Sequence, residues 1–274
     1  MIKFSLIFLI IFVRSFKSII LSLINKDNRY EFFKKYLIDN NDLIIVGKGP
    51  GFVSEYKLAE KYIRNQKGKI QDKKVISLNG SVSKEVKVDL IVYELCDWRD
   101  HISLLSNVYK EKYAQYPILL HGNPKTVPQK VWKKVKKFLK FKLLEFTTWG
   151  KILFFSRISL NNNEYYSILY FLYFYIKKLK LPLFIWLRAS LPSVIIFLAL
   201  NSKCKNIYIV GCPMSEALYK EQKNEVISMI DVLKLSFFIA KKAGKNINYV
   251  ADINKTNPVI LNSKNIKILK IDQK

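Results

Sequence analysis

The sequence predicts an α/β fold in which a Rossmann-like parallel sheet is flanked by helices. From residue 42 onwards, short runs rich in Ile and Val alternate with longer polar stretches. The apolar residues of these runs are consecutive rather than alternating, which is typical of strands buried on both faces of a parallel sheet. Half of the 274 residues are hydrophobic, enough for one domain with a large core, which we place at residues 27–274.

The pattern of apolar runs predicts six strands and, among the helices, one at each end of the sheet. The first helix, at residues 54–65, has apolar residues at helical spacing between the first two strands. The second, at residues 224–243, is followed by Gly244, a residue at which helices commonly end. Strand–helix–strand units at both ends of the domain therefore predict a parallel sheet. The predicted strands are Leu43–Val46, Val75–Leu78, Leu90–Tyr93, Ile118–Leu120, Ile207–Val210 and Ile247–Val250.

Residues 1–26 are expected to form an apolar helix associated with a membrane. The run FSLIFLIIFV at residues 4–13 is followed by Arg14 and Lys17, and then by a second apolar run that ends at Ile24. A spanning helix needs about 20 consecutive apolar residues, so the basic residues favour a helix that lies in the interface near anionic headgroups. A helix packed on the domain is the alternative.

A basic and aromatic helical insert is predicted at about residues 125–185. Residues 125–142 contain eight lysines and no acidic residue, with aromatic and aliphatic residues between them. Such a segment is typical of a basic amphipathic helix that binds acidic lipid headgroups or acidic glycolipid; a solvated helix face and nucleic-acid binding are the alternatives. Residues 165–176 are too few to span a bilayer, and we interpret them as a buried or interface-facing helix in an insert that covers the working edge of the sheet.

The composition indicates an anionic partner. The 47 Lys and Arg against 21 Asp and Glu leave a net charge of +26, which fits nucleic acid, an acidic membrane surface or a phosphate-bearing substrate. The 3 cysteines are scattered without C-x-x-C spacing, and the 2 histidines are too few for a His-rich metal site. A disulfide scaffold and a zinc finger are therefore excluded.

A glycine-rich turn follows the first predicted strand. In a parallel α/β sheet, ligands bind beyond the carboxyl ends of the strands, and this turn reaches that edge. Glycine allows the backbone to approach a phosphate, the next helix offers N–H groups at its N-terminus, and the lysine adds a charge. A plain tight turn is the alternative. The turn consists of Gly47, Lys48, Gly49, Pro50 and Gly51.

Two further segments bring polar side chains to the same predicted edge. Asn79 ends the second strand and offers a donor and an acceptor to a base, a ribose or a sugar, although an Asn-Gly turn also explains it. Arg188, Ser190 and Ser193 stand at the start of an apolar helix, whose following strand ends at Gly211. Hydroxyls and a guanidinium at a helix N-terminus suit a nucleotide phosphate, and helix capping is the alternative.

The order and separation of these segments resemble the bacterial sialyltransferases of glycosyltransferase family 42 and, more remotely, the animal sialyltransferases. Residues 47–51 resemble the family's Gly-Asn-Gly-Pro-Ser turn, and V-I-S-L-N, ending at Asn79, resembles its strand that ends in an Asn. Arg188-Ala189-Ser190 resembles its Arg-x-Thr-Ser-Gly helix start. The strand K-N-I-Y-I-V-G, ending at Gly211, follows at similar separation, and the pair Pro192-Ser193 resembles the Pro-Ser that begins the small sialyl motif of the animal enzymes. The resemblance covers roughly residues 42–95 and 186–250.

This resemblance implies a sialyltransferase-type GT-A variant of the Rossmann-like fold and a glycosyltransferase that needs neither metal nor cofactor. It implies transfer of sialic acid, or a similar acidic sugar, from a CMP-activated donor to a lipopolysaccharide, lipooligosaccharide or capsule acceptor. We expect such a protein to lie peripherally on the cytoplasmic face of the bacterial inner membrane. The nucleotide-binding residues that the resemblance implies are Gly47, Lys48, Gly49, Pro50, Gly51, Asn79, Arg188, Ser190, Ser193 and Gly211.

The catalytic base has to be sought outside the family's pattern. The family has a His on a lid after the strand that here ends at Gly211, whereas this chain has no His after His121. His121 follows a predicted strand at the working edge, and an imidazole titrates near neutrality. Asp97 and Glu94 follow the strand Leu90–Tyr93 and are the alternative bases, although an ordinary salt-bridged loop also explains them.

Two other classes of protein fit the sequence. One is a pyrophosphokinase-like α/β enzyme, which would need Mg²⁺ and a cluster of carboxylates at the edge of the sheet. The other is a non-catalytic or differently specific α/β nucleotide-binding protein at the membrane surface.

Overall fold

The computed structural model describes residues 42–67, 73–79, 81, 83–95, 118–122, 143–145, 190–214 and 229–271. Within them the chain forms an eight-stranded sheet in which all neighbouring strands are parallel, in the order β5-β4-β3-β2-β1-β6-β7-β8. The predicted α/β, Rossmann-like class is thereby confirmed. The strands are β1 Asp42–Val46, β2 Lys73–Leu78, β3 Leu90–Leu95, β4 Ile118–Gly122, β5 Leu143–Glu145, β6 Asn206–Val210, β7 Asn246–Ala251 and β8 Lys267–Lys270.

The helices of these ranges lie on both faces of the sheet. They are α1 Phe52–Lys67, α2 Ser190–Asn201, α3 Met229–Lys242 and the single turn α4 Pro258–Leu261. Alternate residues of β1 belong to two different buried clusters: Ile44 and Val46 pack with α1, whereas Leu43 and Ile45 belong to the cluster that contains α2 and α3. The consecutive apolar residues of β1 are thus explained by burial on both faces.

All six predicted strands are present, and the sheet has two more that the pattern did not predict. β8 has the sequence Lys-Ile-Leu-Lys with exposed lysines at both ends, and β5 has three residues. Both stand at the edges of the sheet, where a strand does not need an unbroken apolar run. β5 also lies inside the range 125–185 that we predicted as a helical insert; the rest of that insert and residues 1–26 lie outside the described residues.

No helix among the residues that the structure describes combines the length and the apolar character needed to cross a membrane.

A ladder of polar side chains holds three strands in register at the amino edge of the sheet, where the parallel strands begin. Asp42, Asn206 and Asn246 are register partners in β1, β6 and β7. Asn206 Nδ2 donates to Asp42 Oδ1 over 2.7 Å, and Asn246 Nδ2 donates to Asn206 Oδ1 over 3.1 Å. Because a shift of one residue would break both bonds, the ladder favours the observed register.

Helix α3 ends as the sequence predicts, at a glycine in the left-handed conformation. Gly244 has φ +75°. Its N–H donates to Lys241 O over 3.0 Å, and the N–H of Lys245 donates to Ala240 O over 2.9 Å, which is the Schellman pattern of helix ends. A Cβ atom at this position would meet no atom within 4 Å, so only the backbone conformation demands glycine.

We predict that Gly244→Ala lowers the free energy of unfolding by about 1 kcal/mol, because an L-residue with a Cβ is strained in the left-handed region. Asn tolerates that region better, so Gly244→Asn should cost less and serves as the matched control. Urea unfolding of the purified chain measures both. Equal losses in the two variants would show that backbone strain is not the cause.

Candidate functional site

The order of strands reverses between β1 and β6. From β1 the chain adds β2 to β5 on one side, and it then returns to place β6 to β8 on the other side. α1, which follows β1, packs on one face of the sheet, and α3, which precedes β7, packs on the opposite face. At such a reversal the connections diverge beyond the carboxyl ends of the two strands and leave a crevice, which is where open α/β sheets bind ligands.

The loops that leave β1 and β6 are joined backbone to backbone at this point. Gly47 N–H donates to Val210 O over 2.8 Å, and Gly49 N–H donates to Gly211 O over 2.7 Å. A Cβ atom on Gly49 would lie 2.7 Å from Gly211 O, and one on Gly47 would overlap Gly211 O and the Cys212 sulfur. The two glycines are therefore required for loop packing. Their N–H groups are occupied by protein carbonyls rather than offered to a phosphate.

Gly211 is the centre of this contact. It has φ +66°, and a Cβ atom on it would lie 2.5 Å from Gly47 O and 2.6 Å from Phe52 Cβ. Its N–H donates to the carboxylate of Glu55, which is 5% exposed in the first turn of α1. One carboxylate thus connects the start of α1 to the loop after β6.

Glu55 is a functional candidate that the sequence reading missed. Burial raises its pKa above the ordinary glutamate value, the hydrogen bond from Gly211 lowers it, and the nearby Asp252 raises it further. Acidic residues are common in the first turn of a helix because they interact favourably with the helix dipole. The position of Glu55 in the sequence therefore gave no signal of a function. Only the contact with a loop 156 residues away distinguishes it.

The loop of residues 211–214 is held from two further directions. The Tyr249 hydroxyl donates to Cys212 O, and the Asn257 N–H donates to Pro213 O over 3.0 Å. Burial, together with the charge of Glu55, raises the pKa of the Cys212 thiol to about 12. This thiol is therefore neutral and enclosed, which excludes it as a nucleophile near neutral pH.

Lys48, Pro50 and Gly51 form the outer part of the turn. These three residues are exposed, whereas Gly47 is buried. Partial burial lowers the pKa of the Lys48 ammonium group below the ordinary lysine value. Gly51 has φ +87°, and the Ser54 hydroxyl donates to its carbonyl over 2.7 Å at the start of α1. The turn thus presents one cation beside the N-terminus of α1.

Asn79 and Ser190, which are 111 residues apart in the sequence, are in contact at the same edge. The Ser190 hydroxyl donates to Asn79 Oδ1 over 3.4 Å. Asn79 follows β2 with φ 51°, a conformation that Asn tolerates better than most residues, and its N–H donates to Val92 O over 2.8 Å. Ser190 is the first residue of α2, whose N-terminus is thereby placed next to the end of β2.

Ser193 lies one turn further into α2 and is 0% exposed, and Ser190 is 3% exposed. Both hydroxyls are therefore buried, and that of Ser190 contacts Asn79. Arg188 and Asp97 lie outside the described residues.

The two remaining candidate bases are neighbours in the sheet. Glu94 and His121 are Cα register partners in β3 and β4, at the carboxyl ends of these strands. β4 is separated from β2 by one strand, which places its backbone about 10 Å from β2 at the usual spacing of strands. Among the residues that the structure describes, no group of three or more His, Cys, Asp or Glu side chains is arranged to hold a metal ion.

We predict that Glu55→Ala lowers the free energy of unfolding by about 1–3 kcal/mol, because the buried Gly211 N–H loses its acceptor. Glu55→Gln keeps an oxygen acceptor and should lose less. Since the folded-state pKa of Glu55 is raised, the stability of the natural chain relative to Glu55→Gln should be greatest below the ordinary glutamate pKa. It should fall as the pH rises through the folded pKa.

Urea unfolding across about pH 4–7, on either side of the ordinary glutamate pKa and upward, measures this difference. A difference between the natural chain and Glu55→Gln that does not change with pH would contradict the assignment.

Comparison of the chain with protein-family models, with curated proteins and with solved structures finds no match. The candidate site is therefore defined by its own residues: a joined pair of loops at the strand reversal, one lysine, and the Asn79–Ser190 contact at the start of α2.

Proposed function

We propose that this chain is a glycosyltransferase that moves a sugar, sialic acid or a similar acidic sugar, from a CMP-activated donor to a lipopolysaccharide, lipooligosaccharide or capsule acceptor. The observation that supports the proposal most is the contact between Asn79 and Ser190 beside the strand reversal. These two residues belong to separate segments of the resemblance to family 42, and the fold brings them together at the edge where α/β sheets bind nucleotides.

In this proposal the donor lies over the joined loops. The N–H groups of Gly47 and Gly49 already donate to protein carbonyls, so side chains have to bind the negatively charged phosphate. Lys48 supplies one cation at the exposed tip, and Arg188 supplies a second that suits bidentate contact with a phosphate. Asn79 and Ser190 provide amide and hydroxyl groups for the cytidine or the sugar, and Gly211 forms the floor.

The chemical step needs a base and a stabilised leaving group. A hydroxyl of the acceptor attacks the anomeric carbon of the donor sugar, its proton passes to the base, and the bond to the phosphate of CMP breaks. In the proposal, the negative charge that develops on this phosphate is stabilised by the cations of Lys48 and Arg188. His121 is the first candidate for the base, and Glu94 and Asp97 are the alternatives.

The second candidate function is nucleotide binding at the membrane surface without turnover. It is favoured by the sequence after Gly211, where Cys212, Pro213 and Met214 replace the acidic residue and the nearby Tyr of family 42, and by the lack of any His beyond His121. Both candidates predict binding of CMP, and only the first predicts transfer of a sugar.

We predict that Asn79→Ala and Ser190→Ala each weaken binding of CMP several-fold, because each removes about one neutral hydrogen bond. Arg188→Ala should weaken it roughly ten- to hundredfold, because a hydrogen bond to a charged group is worth more. Calorimetric titration measures the three affinities. Ser263→Ala, at a half-buried position just before β8, is the control and should bind as the natural chain does. Unchanged affinity in all three variants would place the nucleotide elsewhere.

We predict that His121→Ala lowers kcat by about 10²–10⁴-fold with little change in CMP affinity, which is the usual contribution of a general base. Transfer from a CMP-activated sugar to a glycan acceptor, with release of CMP, is the readout. An active His121→Ala together with a loss of this size in Asp97→Asn or Glu94→Gln would assign the role to that carboxylate. Full activity in all three variants would show that none of the three residues is the catalytic base.

A further inference from the structure

Four lysines stand on the edge of the sheet opposite to the candidate site. Lys205 precedes β6, Lys241 is in the last turn of α3, Lys264 precedes β8, and Lys267 begins β8. All four are exposed. The site proposed above uses only Lys48 and Arg188, so these cations have no role in it. We call the four residues the lysine rim.

The lysine rim belongs to one continuous surface around the starts of β6, β7 and β8. Lys241 Nζ donates to Lys264 O over 3.2 Å, which joins the end of α3 to the turn before β8. The carbonyl of Lys205 accepts from Asn246 N–H over 2.8 Å, which joins the starts of β6 and β7. Lys267 Nζ donates to the hydroxyl of Tyr62. The partners of the Lys241 and Lys267 ammonium groups, a carbonyl and a hydroxyl, are neutral.

Acidic side chains of the described residues are withdrawn from this surface. Asp42 is at the same edge, but it is 3% exposed and hydrogen-bonded to Asn206. Glu60, Asp89 and Glu85 form ion pairs with Lys73, Lys74 and Lys57. Glu94 and Glu145 lie at the carboxyl ends of β3 and β5. Glu55, Asp231 and Asp252 belong to the opposite edge, at the starts of α1 and α3 and at the end of β7. Within the described residues, the rim is therefore a patch of a single sign.

The N-terminal part of the chain joins the domain at this same edge. β1 begins at Asp42, on the amino edge of the sheet, so the chain of residues 1–41 enters β1 from the rim side. Those residues include the apolar run at 4–13 and the second apolar run that ends at Ile24. A chain that carries both an apolar segment and clustered lysines has the combination that binds anionic bilayers.

We propose that the lysine rim is a docking surface for an anionic phospholipid membrane and that it turns the amino edge of the sheet towards the bilayer. Strands of about six residues, at about 3.3 Å per residue, then hold the candidate site about 20 Å from the lipid headgroups. An acceptor hydroxyl at that height belongs to an extended glycan rather than to the lipid headgroup itself. The nucleotide-binding residues are not part of the rim, so the proposed orientation does not depend on nucleotide binding.

The first test removes the charge of the rim. The variant Lys205→Gln, Lys241→Gln, Lys264→Gln, Lys267→Gln is compared with a control of equal net charge that changes exposed lysines elsewhere. Full-length protein is sedimented with vesicles of phosphatidylcholine containing one quarter phosphatidylglycerol. Each lysine near an anionic surface contributes roughly fivefold, so the rim variant should lose at least about tenfold in partition. The control variant carries Lys57→Gln, Lys84→Gln, Lys255→Gln and Lys270→Gln.

The control should lose less than the rim variant, and equal losses would show that net charge alone is responsible, which overturns the proposal. A duplex DNA of random sequence is the competing ligand. If the rim variant binds vesicles normally but loses binding to DNA, the rim is a nucleic-acid surface and the membrane proposal is overturned. CMP affinity, measured in the same variants, should stay unchanged, which separates the rim from the candidate site.

The second test reads the orientation directly. Asn246→Cys, at the first residue of β7, and Asn254→Cys, after the end of β7, place an environment-sensitive fluorophore at two exposed positions. Urea unfolding checks that loss of the Asn246 hydrogen bond to Asn206 leaves the fold intact. On anionic vesicles the label at position 246 should shift to the blue and be protected from an aqueous quencher, whereas the label at position 254 should not. Protection at 254 alone, or at neither position while the protein is bound, overturns the orientation.

Discussion

The structure depends on one close contact, in which the loops after β1 and β6 pass each other with no side chain between them. Two hydrogen bonds join their backbones, and a Cβ atom on Gly49 or Gly211 would lie within 2.7 Å of a carbonyl oxygen of the other loop. Any larger residue would push the loops apart. This contact sets where α1 begins, and it brings the carboxylate of Glu55 under the N–H of Gly211. The shape of the crevice at the strand reversal follows from it.

The same contact changes the role of the glycine-rich turn. A turn of this composition is commonly interpreted as a phosphate cradle, because glycine lets backbone N–H groups approach an anion. Here the N–H groups of two of its glycines bind carbonyls of the neighbouring strand and loop, so glycine serves the approach of one backbone to another. What the turn offers to a ligand is its exposed outer part with Lys48.

The sheet was predictable from the sequence where its strands are buried on both faces, because burial demands unbroken apolar runs. β5 and β8 were not predicted because an edge strand does not need an unbroken apolar run, as the lysines at both ends of β8 show. At the site, Asn79 and Ser190 were predictable as residues at the ends of elements, and the strand order brought them together. Glu55, Tyr249 and Asn257 were not predictable, because their role consists of contacts with a loop that is distant in the sequence.

The polar ladder at the amino edge has a consequence for biosynthesis. Asp42 and Asn206, which join the two central strands, are 164 residues apart. During translation β1 therefore emerges long before β6, and it keeps one side without its neighbour while most of the chain is still being made. An unpaired apolar strand edge is prone to pair with other chains, and contacts of such long range form slowly. The pairing of β1 with β6 at the centre of this sheet thus forms only after β2 to β5 have been made, and the nascent chain depends on protection of β1 until then.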